Sequence, residues 1–295
     1  MVRGIRGCWK PPLYTVARRT SSFRQVYGSS RMAMEGLVTM VYSSYLHIVY
    51  DLADPRTRDW FLTGSPWTLF AVLGTYLFVV KVAGPRFMKD RPAYNIDGII
   101  AVYNIAQVIM CSYIFIRGFT FGWGTKLRFY CEPVDTSSKP LAFEMARFCW
   151  MVYLMKIFDL FDTVLYILRK KNNQVTFFHV IHHALALVVG YYLVRFTPGG
   201  NCVLDASVNC FVHVIMYSYY FISNIYNKNI WWKKHVTQIQ MVQFVYYILH
   251  NLPAVLQKDC GFPAFAGAVI CSGSVFMFYL FSKFYMKTYW KTKDN

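Results

Sequence analysis

The chain alternates long apolar runs with short polar segments, a pattern typical of helices that cross a membrane. A helix of about 20 apolar residues is long enough to span the hydrocarbon core of a bilayer. By length and apolarity the pattern predicts seven spans, at residues 67–82, 96–116, 145–168, 177–193, 204–226, 237–256 and 264–284. No internal repeat or long linker separates them. We therefore expect an all-α polytopic membrane protein in which residues 35–286 form one seven-span domain.

The composition supports this class of protein. Of the 295 residues, 56% are hydrophobic and only 15% are charged, whereas soluble domains carry about 25% charged residues. A net charge of +17 is also found in nucleic-acid-binding proteins, but here the basic residues lie between the apolar runs. We therefore expect anionic lipid headgroups and anionic cofactors as partners, and no nucleic acid.

The loops between the predicted spans alternate in charge. Lys and Arg are concentrated in residues 84–91, 169–174, 227–234 and the tail 287–295. The loops at 197–205 and 258–263 carry little positive charge, and the longer loop at 117–139 is mixed. Because basic loops stay in the cytosol, the C-terminal tail is predicted to be cytosolic. Cys131 and Cys260 then share the luminal side, where either a disulfide between them or two free thiols would be allowed.

Both ends of the chain are basic. Residues 1–34 hold seven Lys and Arg and no acidic residue, which suggests a disordered extension or a translation start at Met32 or Met34. The composition resembles a transit peptide but lacks the apolar segment of a signal peptide. Residues 37–50 are apolar but short, which favours an interfacial helix.

Lys291 and Lys293 match a lysine-based retrieval signal for the endoplasmic reticulum.

Polar side chains inside spans are costly and indicate function. The third span contains Lys156, Asp159, Asp162 and Thr163. Lys156, Asp159 and Thr163 share one helical face by their three- and four-residue steps. One interpretation is that these residues form a polar functional site. The alternative is a structural ion pair in which Lys156 and Asp159 neutralise each other's charge within the membrane.

The fourth span begins with His179, His182 and His183. Helical positions i, i+3 and i+4 point the same way, so the three imidazoles can converge on one site. A single histidine is usually structural, but three on one face at a membrane boundary indicate catalysis or metal binding.

The fifth and sixth spans carry further polar side chains. They are Asn209, His213, Tyr217, Tyr220, Gln240 and Gln243. Asp159 lies ten residues before Arg169, about 15 Å deep at 1.5 Å rise per residue. With the predicted orientation, the polar residues of all four spans meet in the cytosolic half of one bundle.

Two enzyme chemistries use a histidine box in a membrane, and a non-enzymatic membrane protein is a third class to consider. A di-iron desaturase or hydroxylase needs about eight histidines to hold two irons. This chain has seven in all, and His47, His235 and His250 are scattered. A non-enzymatic seven-span receptor, transporter or lipid-binding protein would need no such polar cluster. The second enzyme chemistry acts on acyl chains.

Four motifs on four spans favour that second chemistry. They read KxxDxxDT from Lys156, HVIHH from His179, NxxxHxxMYxYY from Asn209 and TxxQxxQ from Thr237. In this order and spacing they resemble the ELO family of very-long-chain fatty acid elongases. The resemblance extends from about residue 54 to the C-terminus and includes GPRFMKDR, CEPVD, LRKKNNQ and WWKK. One departure is Asp159, at a position that is often Glu in the family. The shorter carboxylate keeps the charge but alters its distance to Lys156.

The resemblance implies a 3-oxoacyl-CoA synthase, an acyltransferase of the endoplasmic reticulum membrane. Such an enzyme condenses a long-chain acyl-CoA with malonyl-CoA and releases CO₂ and CoA, the first step of the elongation cycle. Spans two to seven are expected to enclose an acyl-chain tunnel. No metal or other cofactor is expected. Membrane lipids and the two CoA thioesters are the expected partners, while association with other enzymes of the cycle and a homo-oligomer stay open.

Histidine can supply the chemistry of this reaction. An imidazole can accept an acyl group, and a neutral N–H can stabilise an oxyanion. We assign His182 as the acyl acceptor, and His213 with Asn209 as the groups that bind the enolate or oxyanion. The predicted catalytic set is His179, His182, His183, His213, Asn209, Lys156, Asp159 and Asp162.

The remaining roles concern orientation and substrate binding. Asp159 or Asp162 is expected to orient a histidine, and Lys156 to hold a carboxylate or phosphate. The predicted substrate-binding set is Thr163, Tyr217, Tyr220, Gln240, Gln243, Arg169, Lys170, Lys171, Lys233 and Lys234. The five basic residues of this set are expected to bind CoA phosphates at the cytosolic mouth. Positive-inside topology alone is the alternative explanation for them.

Overall fold

The computed structural model describes residues 34–290 except residues 122, 124, 125 and 227–229. Residues up to Leu52 form one unit and residues from Ala53 onwards form a second. In the first unit, helix α1 covers residues 34–46 and continues as a π-helical turn at His47–Asp51. The predicted basic extension lies outside the described residues apart from Met34, and so does the predicted retrieval signal in the tail.

The second unit is helical, and the part of it that is described contains no β-strand. Its helices are α2 (Pro66–Met88), α3 (Asp97–Thr120), α4 (Pro140–Phe158), α5 (Phe161–Leu168), α6 (Phe177–Phe196), α7 (Asn201–Tyr226), α8 (Lys233–Leu256) and α9 (Ala264–Trp290). The predicted all-α class is confirmed. Local signals define several helix starts. For example, the hydroxyl of Ser65 caps α2 ahead of Pro66, and Pro140 begins α4.

Among the described residues, six helices are long and apolar enough to cross a membrane: α2, α3, α6, α7, α8 and α9. The chain is therefore a multi-pass membrane protein, although the predicted count of seven spans differs by one. The predicted third span is divided into α4 and α5, because the helix is interrupted at Asp159 and Leu160. Helix α4 is 19 residues long but carries three charged side chains, at Glu144, Arg147 and Lys156.

Helices α3 and α7 pack along each other over much of their length. A Cβ atom at Gly118 would overlap the Ser207 hydroxyl oxygen, so a side chain there would force the two helices apart. The opposite face of α3 exposes a row of apolar side chains, including Ile99, Val102 and Ile109. This distribution suits a helix that packs on protein along one face and on lipid along the other.

One end of the bundle, here called the disulfide end, is fastened by polar contacts and a disulfide. Cys131 and Cys260 are joined there. His250 Nδ1 lies 2.7 Å from Asp205 Oδ1, and its Nε2 lies 2.6 Å from the Phe129 carbonyl oxygen. His250 therefore has a structural role at the disulfide end. It lies near the C-terminal end of α8, whereas the predicted site is near the N-terminal end of that helix.

Candidate active site

A cavity of about 660 Å³ opens between α5, α6, α7, α8 and α9. Many of the predicted site residues line it: Asp162, Arg169, Lys171, His179, His182, His183, His213, Tyr217, Tyr220, Lys233 and Gln240. Others do not: Lys156, Asp159, Thr163, Lys170, Asn209, Lys234 and Gln243. Four separate predicted spans therefore contribute to one cavity, as the motif pattern indicated.

The three histidines of α6 lie side by side. The Thr176 side chain caps this helix by accepting a hydrogen bond from the His179 backbone N–H, and it fixes where the first turn begins. The His179 and His183 ring centroids are 4.4 Å apart, and those of His182 and His183 are 5.3 Å apart. The convergence expected from the i, i+3, i+4 spacing is therefore present.

His179 and His182 differ in their hydrogen bonds. His179 Nε2 lies 2.9 Å from the Thr163 hydroxyl oxygen. For His182 the structure gives contacts only with the rings of His183 and Phe281, and no hydrogen bond within the residues it describes. His182 thus has both ring nitrogens available to a substrate.

A buried ion pair lies next to the cavity. Lys156 Nζ is 3.1 Å from Asp159 Oδ2, and both side chains are almost excluded from solvent. Lys156 Nζ is also 3.4 Å from His213 Nε2. Because an ammonium group only donates, this histidine nitrogen is fixed as an acceptor. The ion pair between Lys156 and Asp159, which the sequence suggested as a purely structural alternative, is therefore present. Its lysine also contacts His213, a histidine that lines the cavity.

A second row of polar contacts supports Asp159, and part of it was not anticipated from the sequence. Gln107 Nε2 on α3 lies 2.8 Å from Asp159 Oδ1 and 3.1 Å from the Tyr217 hydroxyl oxygen. The Tyr217 hydroxyl is 2.8 Å from Asp162 Oδ2. A signal for Gln107 was present in the sequence, because an amide in the middle of an apolar span is as costly as the polar groups on the other spans.

Several predicted roles need correction. Thr163 is fully buried, lies 2.9 Å from His179 Nε2 through its hydroxyl oxygen and is not among the residues that line the cavity. Asp162 is bonded to Tyr217 and not to a histidine. Asp159 Oδ2 is 3.8 Å from His213 Nδ1, which is beyond hydrogen-bond distance. Its 3.1 Å contact with Lys156 shows that the shorter carboxylate still reaches the lysine.

Asn209 and Gln243 lie away from the cavity as well. The Asn209 amide is beside the Tyr247 hydroxyl, and its Oδ1 has no hydrogen-bond partner within the described part of the chain. Gln243 Nε2 donates to the same hydroxyl at 3.1 Å. Asn209 is one turn from His213 along α7, but its side chain turns toward α8. A spacing of four residues does not by itself bring two side chains to the same site.

The basic residues at the mouth of the cavity divide into two groups. Arg169, Lys171 and Lys233 line it, and Arg169 forms an ion pair of 2.9 Å with Asp97. Partial burial and the neighbouring Arg169 charge hold the pKa of Lys171 below its usual range. Lys170 and Lys234 lie outside the cavity, and Lys170 Nζ instead approaches the Lys89 carbonyl oxygen at 3.5 Å. For these two lysines, positive-inside topology stays the alternative explanation.

In the part of the chain that the structure describes, no group of three or more His, Cys, Asp and Glu side chains is arranged to hold a metal ion. The three α6 histidines lie close together, but only as a row of rings that contact one another and Phe281. The expectation of metal-free catalysis stays a prediction.

Comparison with known proteins places the site in a family context. The sequence model of the ELO family, described as the GNS1/SUR4 family, matches residues 61–295. Very long chain fatty acid elongase 7 of Drosophila melanogaster is 37% identical over 257 residues, covering 86% of this chain and 78% of the fly protein. The rat (Rattus norvegicus) protein of the same name is 36% identical over 265 residues, covering 88% and 94%. Very long chain fatty acid elongase 1 of Homo sapiens is 37% identical over 265 residues, covering 88% and 93%. The family match includes every predicted site residue.

Proposed function

The chain belongs to the ELO family of very long chain fatty acid elongases, and we propose from this membership how its cavity condenses a long-chain acyl-CoA with malonyl-CoA. The products are a 3-oxoacyl-CoA, CO₂ and free CoA. The observation that carries the proposal is the row of α6 histidines lining a cavity that His213 of α7 also lines. The di-iron alternative is not favoured, since the relatives are named elongases.

His182 is the proposed acyl acceptor, because its nitrogens are not engaged by described residues. Its nitrogen lone pair attacks the thioester carbonyl carbon of the acyl-CoA, and the C–S bond breaks. The proton on the other nitrogen of His182 passes to the departing CoA sulfur. The result is a neutral acyl-imidazole and free CoA, so atoms and charge balance. An acyl-imidazole is reactive enough to acylate a carbon nucleophile in the second half of the reaction.

Malonyl-CoA supplies that nucleophile by losing CO₂, which leaves an enolate on the remaining acetyl thioester. The enolate carbon attacks the acyl carbon and expels His182, which takes up one proton from the cavity. This is the one proton that the overall reaction consumes. His213 and the adjacent Lys156 place positive potential beside the cavity, where the enolate charge develops.

Phosphate groups of CoA are proposed to bind Arg169, Lys171 and Lys233 at the cavity mouth. The acyl chain would then extend past the histidines into a tunnel between the spans. We also propose that the chain resides in the endoplasmic reticulum membrane with its C-terminus in the cytosol, where CoA thioesters are available.

The acyl-enzyme can be tested directly. Purified protein is mixed with acyl-CoA without malonyl-CoA, and the intact mass and the peptide masses are measured. We expect one added acyl group on the peptide that contains His182, and its removal when malonyl-CoA is added. The His182→Ala protein should stay unmodified, while His235→Ala, whose side chain contacts Gln238 and Trp231 and does not line the cavity, should be modified normally. An acyl group on a cysteine would overturn the assignment.

A further inference from the structure

A chain of hydrogen bonds between buried side chains ends on one of the cavity histidines. The Tyr76 hydroxyl oxygen on α2 lies 3.0 Å from the Thr163 hydroxyl oxygen on α5. The Thr163 oxygen in turn lies 2.9 Å from His179 Nε2 on α6. Tyr76 is 5% exposed and Thr163 is 0% exposed. The two hydroxyls are therefore shielded from solvent, while the half-buried histidine that they contact faces the cavity.

Three proton arrangements keep both contacts, because each hydroxyl has one proton to donate and can accept two hydrogen bonds. One of them has Tyr76 and His179 Nε2–H both donating to Thr163, and it leaves the buried Thr163 proton without an acceptor among the described side chains. The other two differ in the direction in which the hydrogen bonds run. In the first, Tyr76 donates to Thr163, and Thr163 donates to His179 Nε2. In the second, His179 Nε2–H donates to Thr163, Thr163 donates to Tyr76, and the Tyr76 proton is left over.

The second arrangement leaves a buried donor without an acceptor. Thr163 is the one hydrogen-bond partner that the structure shows for the Tyr76 hydroxyl within the residues it describes. A buried donor that is left unsatisfied loses its hydration without compensation. The first arrangement satisfies both hydroxyl protons, and it requires His179 Nε2 to be the acceptor.

We propose that Tyr76, acting through Thr163, holds His179 in the neutral tautomer with the proton on Nδ1, so that His179 offers an N–H donor to the substrate oxygen. Nδ1 is the ring nitrogen that no described side chain engages. Packing against Tyr166 and His183, with centroids at 5.5 Å and 4.4 Å, holds the plane of the ring. Tyr76 and Thr163 are positioning residues in this scheme, and neither touches substrate.

The consequence is a division of roles among neighbouring histidines. The Nε2 lone pair of His179 is occupied by Thr163, so His179 cannot use it to accept an acyl group. Its Nδ1–H can donate to the thioester oxygen as negative charge develops there. His182 keeps a free lone pair and acts as the acceptor. This inference rests on the proposed condensation, and it adds which histidine binds the oxyanion and what fixes its proton.

The tautomer can be measured without turnover. Protein labelled with ¹⁵N-histidine is placed in lipid nanodiscs, and the His179 signals are identified by their loss in His179→Gln. We expect wild-type Nε2 to give the shift of an unprotonated nitrogen and Nδ1 that of a protonated one. Thr163→Val, which removes the hydroxyl at nearly constant volume, should give a mixture of tautomers. Tyr76→Phe should also give a mixture of tautomers, and it provides the same test if Thr163→Val does not fold.

Kinetics give a second readout. We expect kcat to fall in both variants in proportion to the Nδ1–H population that the nitrogen shifts report, with complete loss of the donor as the limit at about 100-fold or more. KM for malonyl-CoA should change little. Thr163→Ser should restore both kcat and the tautomer. Tyr153→Phe is the matched control, since it removes a buried hydroxyl that bonds to the Leu62 carbonyl oxygen at 3.3 Å.

Two results would overturn the inference. One is a wild-type His179 protonated on Nε2, and the other is a Thr163→Val protein with an unchanged tautomer. A protein with the expected tautomer but no condensation in any assay would instead contradict the proposed function and leave the tautomer assignment intact.

Discussion

The ion pair between Lys156 and Asp159 allows a structural role and a chemical role to be separated. Its side chains are 11% and 4% exposed, so both charges are desolvated. Replacing Lys156 with Met would leave the Asp159 carboxylate with Gln107 at 2.8 Å as its main neutral donor, because the Tyr217 hydroxyl at 3.3 Å lies closer to Asp162, at 2.8 Å. Breaking a buried pair on one side costs about 3–5 kcal/mol of unfolding free energy, because an uncompensated charge remains.

The double variant Lys156→Met with Asp159→Leu should behave differently. An apolar pair of similar volume often matches or exceeds the stability of a buried ion pair, so most of the loss should be recovered. The two single variants together should lose about 6–10 kcal/mol and the double variant far less, so the coupling free energy in a double-mutant cycle should be about 5 kcal/mol or more. Activity should not return in the double variant, since the positive charge beside His213 is still missing.

The assay combines thermal unfolding in detergent with turnover of labelled malonyl-CoA. Each single variant should lower the apparent Tm by on the order of 10 °C. Arg117→Gln is the control, since the pair that it forms with Glu144 is more than one-third exposed and should contribute under about 1 kcal/mol. If the double variant were as active as wild type, the pair would be structural only. If Lys156→Met were as stable as wild type, the desolvation argument would be wrong.

Three further predictions follow from the cavity and the topology. Turnover should survive exhaustive chelation, with iron and zinc quantified in the same sample; activity that is lost and returns only on adding metal would contradict the histidine mechanism. Because the pKa of Lys171 lies below the usual 10.5, its charge and its hold on phosphate should disappear at lower pH than for an ordinary lysine. KM for malonyl-CoA should therefore rise in the alkaline range, and Lys171→Arg should abolish that rise. In sealed microsomes, a cysteine at the exposed position Asn173 should react with an impermeant maleimide, and one at the exposed position Ser138 should react only after permeabilisation; the reverse pattern would contradict the proposed cytosolic face.

Much of the site could be predicted because it depends on local geometry. The spacing of His179, His182 and His183 places their rings on one side of a helix, and the ring-centroid distances of 4.4 and 5.3 Å show that tertiary contacts leave them together. The long apolar runs likewise fix most of the spans, because the width of the bilayer sets their length. The motifs on separate spans then identify the family.

Other features depend on contacts between distant segments and were not predicted. Gln107 on α3 contacts Asp159, which is more than 50 residues away in the sequence. Tyr76 on α2 contacts Thr163. The interruption at Asp159 and Leu160 could not be seen from an apolar pattern that runs through it. Asn209 shows the limit of spacing arguments, since its neighbour on α8 and not its position on α7 decides where its amide points.

The most direct test of the central claim is a condensation assay with the purified protein in lipid. Long-chain acyl-CoA and labelled malonyl-CoA are supplied without reductant, so that the reaction stops at the first product, and released CO₂ and 3-oxoacyl-CoA are both quantified. We expect equal amounts of the two products, and we expect both to be lost in His182→Ala and in His213→Ala and kept in His235→Ala. Substantial product from either of the first two variants, with the protein folded, would contradict it.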